Sequence, residues 1–188
     1  MQTSSPHAMG AAPGKVILFG EHAVVHGKPA IAAALSHGLG AVVSNRTSGQ
    51  ARLHIPRWGR NGLLVDAGKE DVNTADAIAR AFLKALELLD ISPDLPIDIT
   101  MDGELPLGVG LGSSAAFSVS LLRALASFQK TTLGDSALGT LAFELESIFH
   151  GNPSGLDHSV IIHNECVRFI ASQPLAFRSI KRAVTLPL

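Results

Sequence analysis

Cysteine is almost absent. The single Cys166 cannot form an internal disulfide, and no Cys/His spacing of a zinc finger occurs in the 188 residues. A reducing compartment follows, and the protein is expected to be cytoplasmic. An excess of one charge is lacking too: 15 Lys+Arg stand against 16 Asp+Glu, for a net charge of -1. No global field recruits nucleic acid or an anionic membrane, so any anionic ligand must be held locally. Long apolar runs are missing as well. The opening MQTSSPHAMG carries no stretch fit for a signal peptide, and the later runs are too short or too broken by glycine to span a bilayer. Neither nucleic acid nor membrane is expected as a partner. Aromatics make up 5% and charged residues 16%, while 46% of residues are hydrophobic, a globular composition rather than a disordered or collagen-like one. The length suits one domain with a substantial core, or a large domain cut near an edge, and is too short for two full domains.

After a polar leader, residues 1–10, the run Lys15-Val16-Ile17-Leu18-Phe19-Gly20 has the β-branched, apolar character of a strand that stops at glycine. Pro29 to Leu35 and Gly40 to Ser44 are small and apolar, fit for two strands or a strand and a short helix. Gln50 to Val65 reads as a hairpin or meander broken at Pro56 and Gly59. A helix is expected over Asn73 to Asp90, capped by Asn73 or Thr74, with Asp76 early and Ile78, Phe82, Leu86 and Leu89 at helical spacing. Ile97, Ile99 and Met101 alternate with polar residues as in a strand with one wet face. Ala115 to Leu125 reads as a buried helix, and Asp135 or Ser136 caps another that runs to about His150. Strands and helices in mixed order, without a regular βαβα alternation, point to an α+β fold.

Three places carry chemistry. Leu107-Gly108-Val109-Gly110-Leu111-Gly112-Ser113-Ser114 is a glycine-rich turn opening a helix, where close backbone approach and free N–H groups suit phosphate. It is not a Walker A loop, because no lysine precedes the serine pair, and Ser113 breaks the dinucleotide fingerprint. That break disfavours a dinucleotide-dependent oxidoreductase, although Asp135 lies at about the right distance for a ribose contact. A tightly packed turn without a ligand is the plainer reading. His150-Gly151-Asn152-Pro153-Ser154-Gly155-Leu156-Asp157 is a turn-rich stretch after a helix bearing Glu144 and Glu146; Asp157 there serves either as a base or magnesium ligand or merely as a helix cap. Pro13-Gly14-Lys15 with Glu21, His22 and His26 is the third. The i, i+4 histidines lack the order of a zinc protease, and Gly20, Gly27 and Pro29 argue against a helix between them.

Taken together, Ala12 to Gly27 (APGKVILFGEHAVVHG) closely resembles the first motif of the mevalonate kinase family, within the galactokinase, homoserine kinase, mevalonate kinase and phosphomevalonate kinase (GHMP) superfamily. Pro106 to Ala116 is similar to that superfamily's ATP-phosphate loop, and His150 to Asp157 to the segment bearing its catalytic aspartate. Glu21-His22-Ala23-Val24-Val25-His26-Gly27 favours mevalonate kinases over galactokinases, in which Thr-Asp follows the Glu-His pair. Asp157 separates the chain from homoserine kinases, and phosphomevalonate kinase is the closest rival.

The resemblance implies ATP- and magnesium-dependent phosphorylation of mevalonate to 5-phosphomevalonate, a step of isoprenoid precursor synthesis. Asp157 would take or orient the proton of the mevalonate hydroxyl, and Lys15 would lower that hydroxyl's pKa and stabilise developing charge. Ser114 by preference, otherwise Ser113, would hold magnesium together with Glu146. Backbone groups of Gly108, Gly110, Leu111, Gly112, Ser113 and Ser114 would cradle the ATP phosphates, and Glu21 and His22 would line the mevalonate pocket. The implied fold is an N-terminal domain resembling domain 2 of ribosomal protein S5, with an unusual left-handed βαβ crossover, followed by a ferredoxin-like C-terminal domain. That second domain carries a third, glycine-rich motif. No glycine follows Asp157, position 158 is His158 where the family often has Asn, and His163-Asn164-Glu165-Cys166 stands where relatives often carry Gly-Gly. Residues 11–188 are therefore expected to be the N-terminal domain of a longer kinase, inactive or impaired alone, with an exposed face that favours a homodimer or other association. A non-catalytic nucleotide-binding remnant is the alternative.

Overall fold

A computed structural model of the chain describes residues 8–59, 61–68 and 76–170, and the backbone of 176–179. In chain order its elements are β1 (Ala8–Phe19), a 3-10 turn (Val24–His26), β2 (Ala30–Asn45), β3 (Arg52–Ile55), β4 (Leu63–Asp66), α1 (Ala77–Leu88), β5 (Ile97–Gly103), α2 (Ser113–Phe128), α3 (Asp135–His150), α4 (Leu156–His163), β6 (Cys166–Ile170) and β7 (Ala176–Ser179). The strands form one sheet in the order β4-β3-β5-β2-β6-β7, with β1 paired to β2. All pairings are antiparallel except β3 with β5, a parallel pair connected through β4 and α1. This is the mixed α+β architecture expected. The apolar tail Ala183 to Leu188, which reads as a strand, lies outside the described residues, as do Asn73 and Thr74.

Long β2 organises the molecule, holding β1 along its length, β5 along Leu39 to Asn45 and β6 along Ala30 to Ala33. The two short apolar segments of the sequence are thus one strand. Its buried residues change phase, from Ala30 and Ala32 to Leu39, Ala41 and Val43, because a bulge sits between them. There Gly14 of β1 stands alone against Leu35, Ser36 and His37, with Pro13 opposite Gly38 and Lys15 opposite Ala34. The first strand starts at Ala8, three residues inside the expected leader.

Helix α2 is the central layer, lying on β1 and β2 and covered by α1, α3 and α4. Its contact with β1 is made at backbone distance: a Cβ on Gly10 would collide with the Ser120 carbonyl and the Ala124 amide. Small residues on α2 allow this approach, and the hydroxyl of buried Ser120 is satisfied within the helix by the Ala116 carbonyl at 2.6 Å. The main core joins Phe82, Phe117, Leu121, Leu122, Leu125, Ile97, Ile99 and Met101. A smaller cluster, Val24, Ala30, Ala32, Leu156, Val160, Val167 and Phe169, fixes α4 on the sheet.

Two caps differ from expectation. Asp76 itself caps α1, its carboxylate accepting from the Ile78 amide at 2.8 Å. Helix α3 is preceded by Gly134 without a side-chain cap, so Asp135 lies in the first turn, where its charge favours the helix end. Among the described residues no helix is long and apolar enough to cross a membrane.

Candidate active site

The bulge at Gly14 delivers the first side chain. A Cβ at Gly14 would press on the Leu105 side chain and on the Leu111 carbonyl, so glycine suits the close approach of β1 to the loop there. The bulge leaves the Lys15 amide to donate to the Leu111 carbonyl at 2.9 Å, tying β1 to the glycine-rich loop. Lys15 is buried, its side chain 5% exposed, and its Nζ lies 3.1 Å from Asp157 Oδ2. Asp157 sits in the first turn of α4, after Gly155 in the left-handed region at φ 85°. It is therefore not the cap of that helix: the cap position belongs to Gly155, and the Asp157 carboxylate is turned to Lys15.

Gly112 is held by two constraints. Its φ is +73°, and a Cβ would meet the Lys15 side chain. Gly108 and Gly110 also have positive φ, but open space surrounds them, so what they leave room for lies outside the protein. The loop is exposed and runs into α2, whose cap residue Gly112 offers no side-chain acceptor. The first amides of α2 are consequently free at the positive end of the helix.

Below them lies Glu146, on α3 and 1% exposed. Ser114 and Ser118, one turn apart on α2, donate to its two oxygens at 3.3 Å each, and His150 Nε2 lies 3.1 Å from Ser114 Oγ and 3.8 Å from Glu146 Oε2. Burial raises the Glu146 pKa to about 7; the Asp157 charge adds to this, while the two serine hydrogen bonds and Lys15 oppose it. His158, on the next position of α4, points the other way, buried edge-on against Phe143 at 5.9 Å. Its pKa falls to about 4, through burial and against the pull of Asp157. The histidine at this position is a packing residue on the core side of α4.

The two shifts have opposite signs. Folded Glu146 holds its proton to a higher pH than its ordinary 4.5, so its contribution to stability is full below 4.5 and lost as pH rises through about 7. His158 contributes above its ordinary 6.5, and that is lost as pH falls through about 4. Thermal melts of wild type and Glu146→Gln from pH 4 to 8 separate them. Without added metal, the glutamine variant should gain on wild type steadily as pH rises to about 7. A constant difference would mean that Glu146 titrates as an exposed acid.

The fold thus brings together Lys15, Leu111, Gly112, Ser114, Glu146 and Asp157, with Gly108 and Gly110 on the open loop above and Ser113 buried at its base. Glu21 and His22 are exposed in the turn after β1, and among the described residues no hydrogen bond or ion pair joins either to Lys15, Glu146 or Asp157. Ser118 and His150 complete the cluster without having been singled out. Each lies four residues along a helix from a site residue, Ser118 from Ser114 and His150 from Glu146, and that spacing was the available signal.

Comparison with known proteins places this geometry. Residues 73–165 match the family described as GHMP kinases N terminal domain. The chain belongs to the GHMP kinases. Within them it is similar to mevalonate kinase of Mus musculus, 32% identical over 209 residues, a match covering 85% of this chain and 53% of the mouse protein. Among solved structures, Methanococcus jannaschii mevalonate kinase superposes with a TM-score of 0.79 at 26% identity, over 97% of this chain and 57% of that one. Mevalonate kinase from L. major in complex with R-mevalonate gives 0.69 at 27% identity, over 94% and 52%. The chain spans about half the length of the mevalonate kinases it matches.

Proposed function

We propose that this chain is the ATP- and substrate-binding N-terminal domain of a mevalonate kinase, transferring the γ-phosphoryl group of ATP to the mevalonate hydroxyl. The observation that carries the reading is the Lys15–Asp157 pair, 3.1 Å apart at the base of an open glycine loop. Relatives named mevalonate kinase, and one solved with R-mevalonate, support the substrate. Phosphoryl transfer asks a protein for positioning and electrostatic stabilisation more than for covalent chemistry, and the site offers both.

Among the described residues no group of three His, Cys, Asp or Glu is gathered for a metal ion. The donor set nonetheless fits a hard cation that takes its remaining ligands from phosphate, with a buried carboxylate and a serine hydroxyl facing each other. The chemistry magnesium would supply there is neutralisation of the charge on the phosphates. Ser114 and Glu146 would hold it, and the free amides at the start of α2 would receive the phosphates. Asp157 has one oxygen engaged by Lys15 and the other available to accept the hydroxyl proton as the new O–P bond forms and ADP leaves. Lys15 stabilises the alkoxide character that develops on the attacking oxygen. Glu21 and His22 would close over the substrate from the turn after β1.

The test is ADP release with ATP, magnesium and mevalonate, measured for the 188-residue chain and for the chain extended with the C-terminal half of a mevalonate kinase. Turnover with mevalonate in the extended chain is expected. Turnover with phosphomevalonate alone would move the substrate to the rival family, and nucleotide binding without turnover on either would favour a non-catalytic domain.

A further inference from the structure

The two segments that carry the Lys15–Asp157 pair are joined a second time, away from the pair, by one side chain. Arg123, on α2, donates from Nη1 to the Ala11 carbonyl at 2.7 Å and from Nη2 to the Ile162 carbonyl at 3.2 Å. Ala11 lies on β1 four residues before Lys15, and Ile162 lies in the last turn of α4, five residues after Asp157. The last carbonyls of a helix have no partner within it, and a guanidinium there also meets the negative end of the helix. Burial lowers the Arg123 pKa against the pull of Asp135, so a cation is held at this half-buried place in spite of desolvation.

These bonds fix what apolar packing leaves loose. Leu156, Val160, Ile161 and Ile162 are buried and press α4 onto its neighbours, but apolar contact is non-directional and sets the depth of a helix better than its position along its own axis. Directional contacts at the two ends set that position. Asp157 meets Lys15 at the first turn and Ile162 meets Arg123 at the last, where His163 Nδ1 also lies 3.6 Å from Asp135 Oδ2. Since β1 and α2 already approach at backbone distance at Gly10, what Arg123 adds to them is α4. The five residues from Asp157 to Ile162 are about 7.5 Å of one helix, so a displacement of its last turn passes to its first.

We infer that Arg123 is a positioning residue for phosphoryl transfer: it holds α4 in register with β1, and so keeps Asp157 within reach of Lys15, while touching neither. The inference rests on the catalytic reading of that pair given above, but the geometry of the pair can be measured without it. Arginine suits the place because its planar fork reaches two acceptors at once, whereas lysine presents a single ammonium.

The side-chain 15N resonance of Lys15, recorded beside steady-state kinetics, tests this. In the 188-residue chain the buried, ion-paired ammonium should exchange with water slowly enough to give an Nζ signal at neutral pH, assigned by its loss in Lys15→Arg. In Arg123→Gln that signal should broaden or disappear while the amide spectrum stays that of a folded domain. In the extended chain Arg123→Gln should lower kcat by about 10- to 100-fold, the order expected for a misplacement of about 1 Å, with ATP affinity held within about twofold. Arg123→Lys, which keeps the charge and one hydrogen bond, should fall between, and it carries the test if the glutamine variant does not fold. Val65→Ala, in the main core on β4, controls for lost stability and should move neither readout. Turnover and a Lys15 signal both unchanged by Arg123→Gln overturn the inference, and so does a loss of kcat with the signal intact. Loss of the signal with turnover unchanged leaves Arg123 holding the pair and overturns the pair's catalytic reading.

Discussion

Asp157→Asn is expected to lower phosphoryl transfer by about 10²- to 10⁴-fold in the extended chain, the range for loss of a positioned general base. Asparagine keeps the shape and one acceptor, but it cannot take the hydroxyl proton. ATP affinity should change little, because the loop amides, Ser114 and Glu146 are untouched. The substitution also strands Lys15, whose side chain is 5% exposed and which has Asp157 as its ion-pair partner. A buried cation left alone is costly, so the single variant should melt lower than wild type. The double variant Lys15→Met/Asp157→Asn separates the two effects: it should regain most of the lost stability and none of the activity. Activity returning with stability would mean that Asp157 is a structural anchor for α4 and that the proton goes elsewhere.

The same pair shows how far the sequence could be read. Lys15, Glu146 and Asp157 stand in segments whose local text is distinctive, a glycine before a strand, an acid late in a helix, an acid after a glycine turn, and the fold gathers all three. What local text could not show is why Lys15 turns inward. That depends on one glycine, Gly14, facing three residues of β2, a register known only once the strands pair. The same bulge hid the continuity of β2, since a phase change in the buried residues looks like a break. His150 and Ser118 were legible as helical neighbours of Glu146 and Ser114, yet nothing in the spacing said which face of α2 would meet α3. Glu21 and His22 carry the strongest family text, yet their side chains are exposed, while Val24 of the same turn is buried against α4. His158 departs from the family's usual residue without touching the chemistry, its ring being spent on packing against Phe143.

Phe117→Ala should cost about 3–5 kcal/mol, the range for removing a buried aromatic side chain and leaving part of its cavity. Phe117 is fully buried one turn below the Ser113-Ser114 pair, its ring tilted against Trp58 at 6.0 Å and edge-on to Phe149 at 5.9 Å. A domain of this size holds about 5–15 kcal/mol in all, so the loss is a large fraction of it. For a chain of this length the melting temperature should fall by about 6–20 °C. Phe117→Leu keeps most of the volume and should cost clearly less. The three rings connect the turn after β3 with α2 and α3 directly behind the site, and Phe149 precedes His150 on α3. A cavity at Phe117 should therefore loosen the Ser114–Glu146–His150 contacts before the whole domain unfolds. Hydrogen exchange at the first turn of α2 and the last turn of α3 would read this as faster exchange in Phe117→Ala than in a distant variant of similar cost, such as Phe169→Ala in the smaller core. Equal exchange in the two variants would show that the aromatic contacts stabilise the domain as a whole without bracing the site.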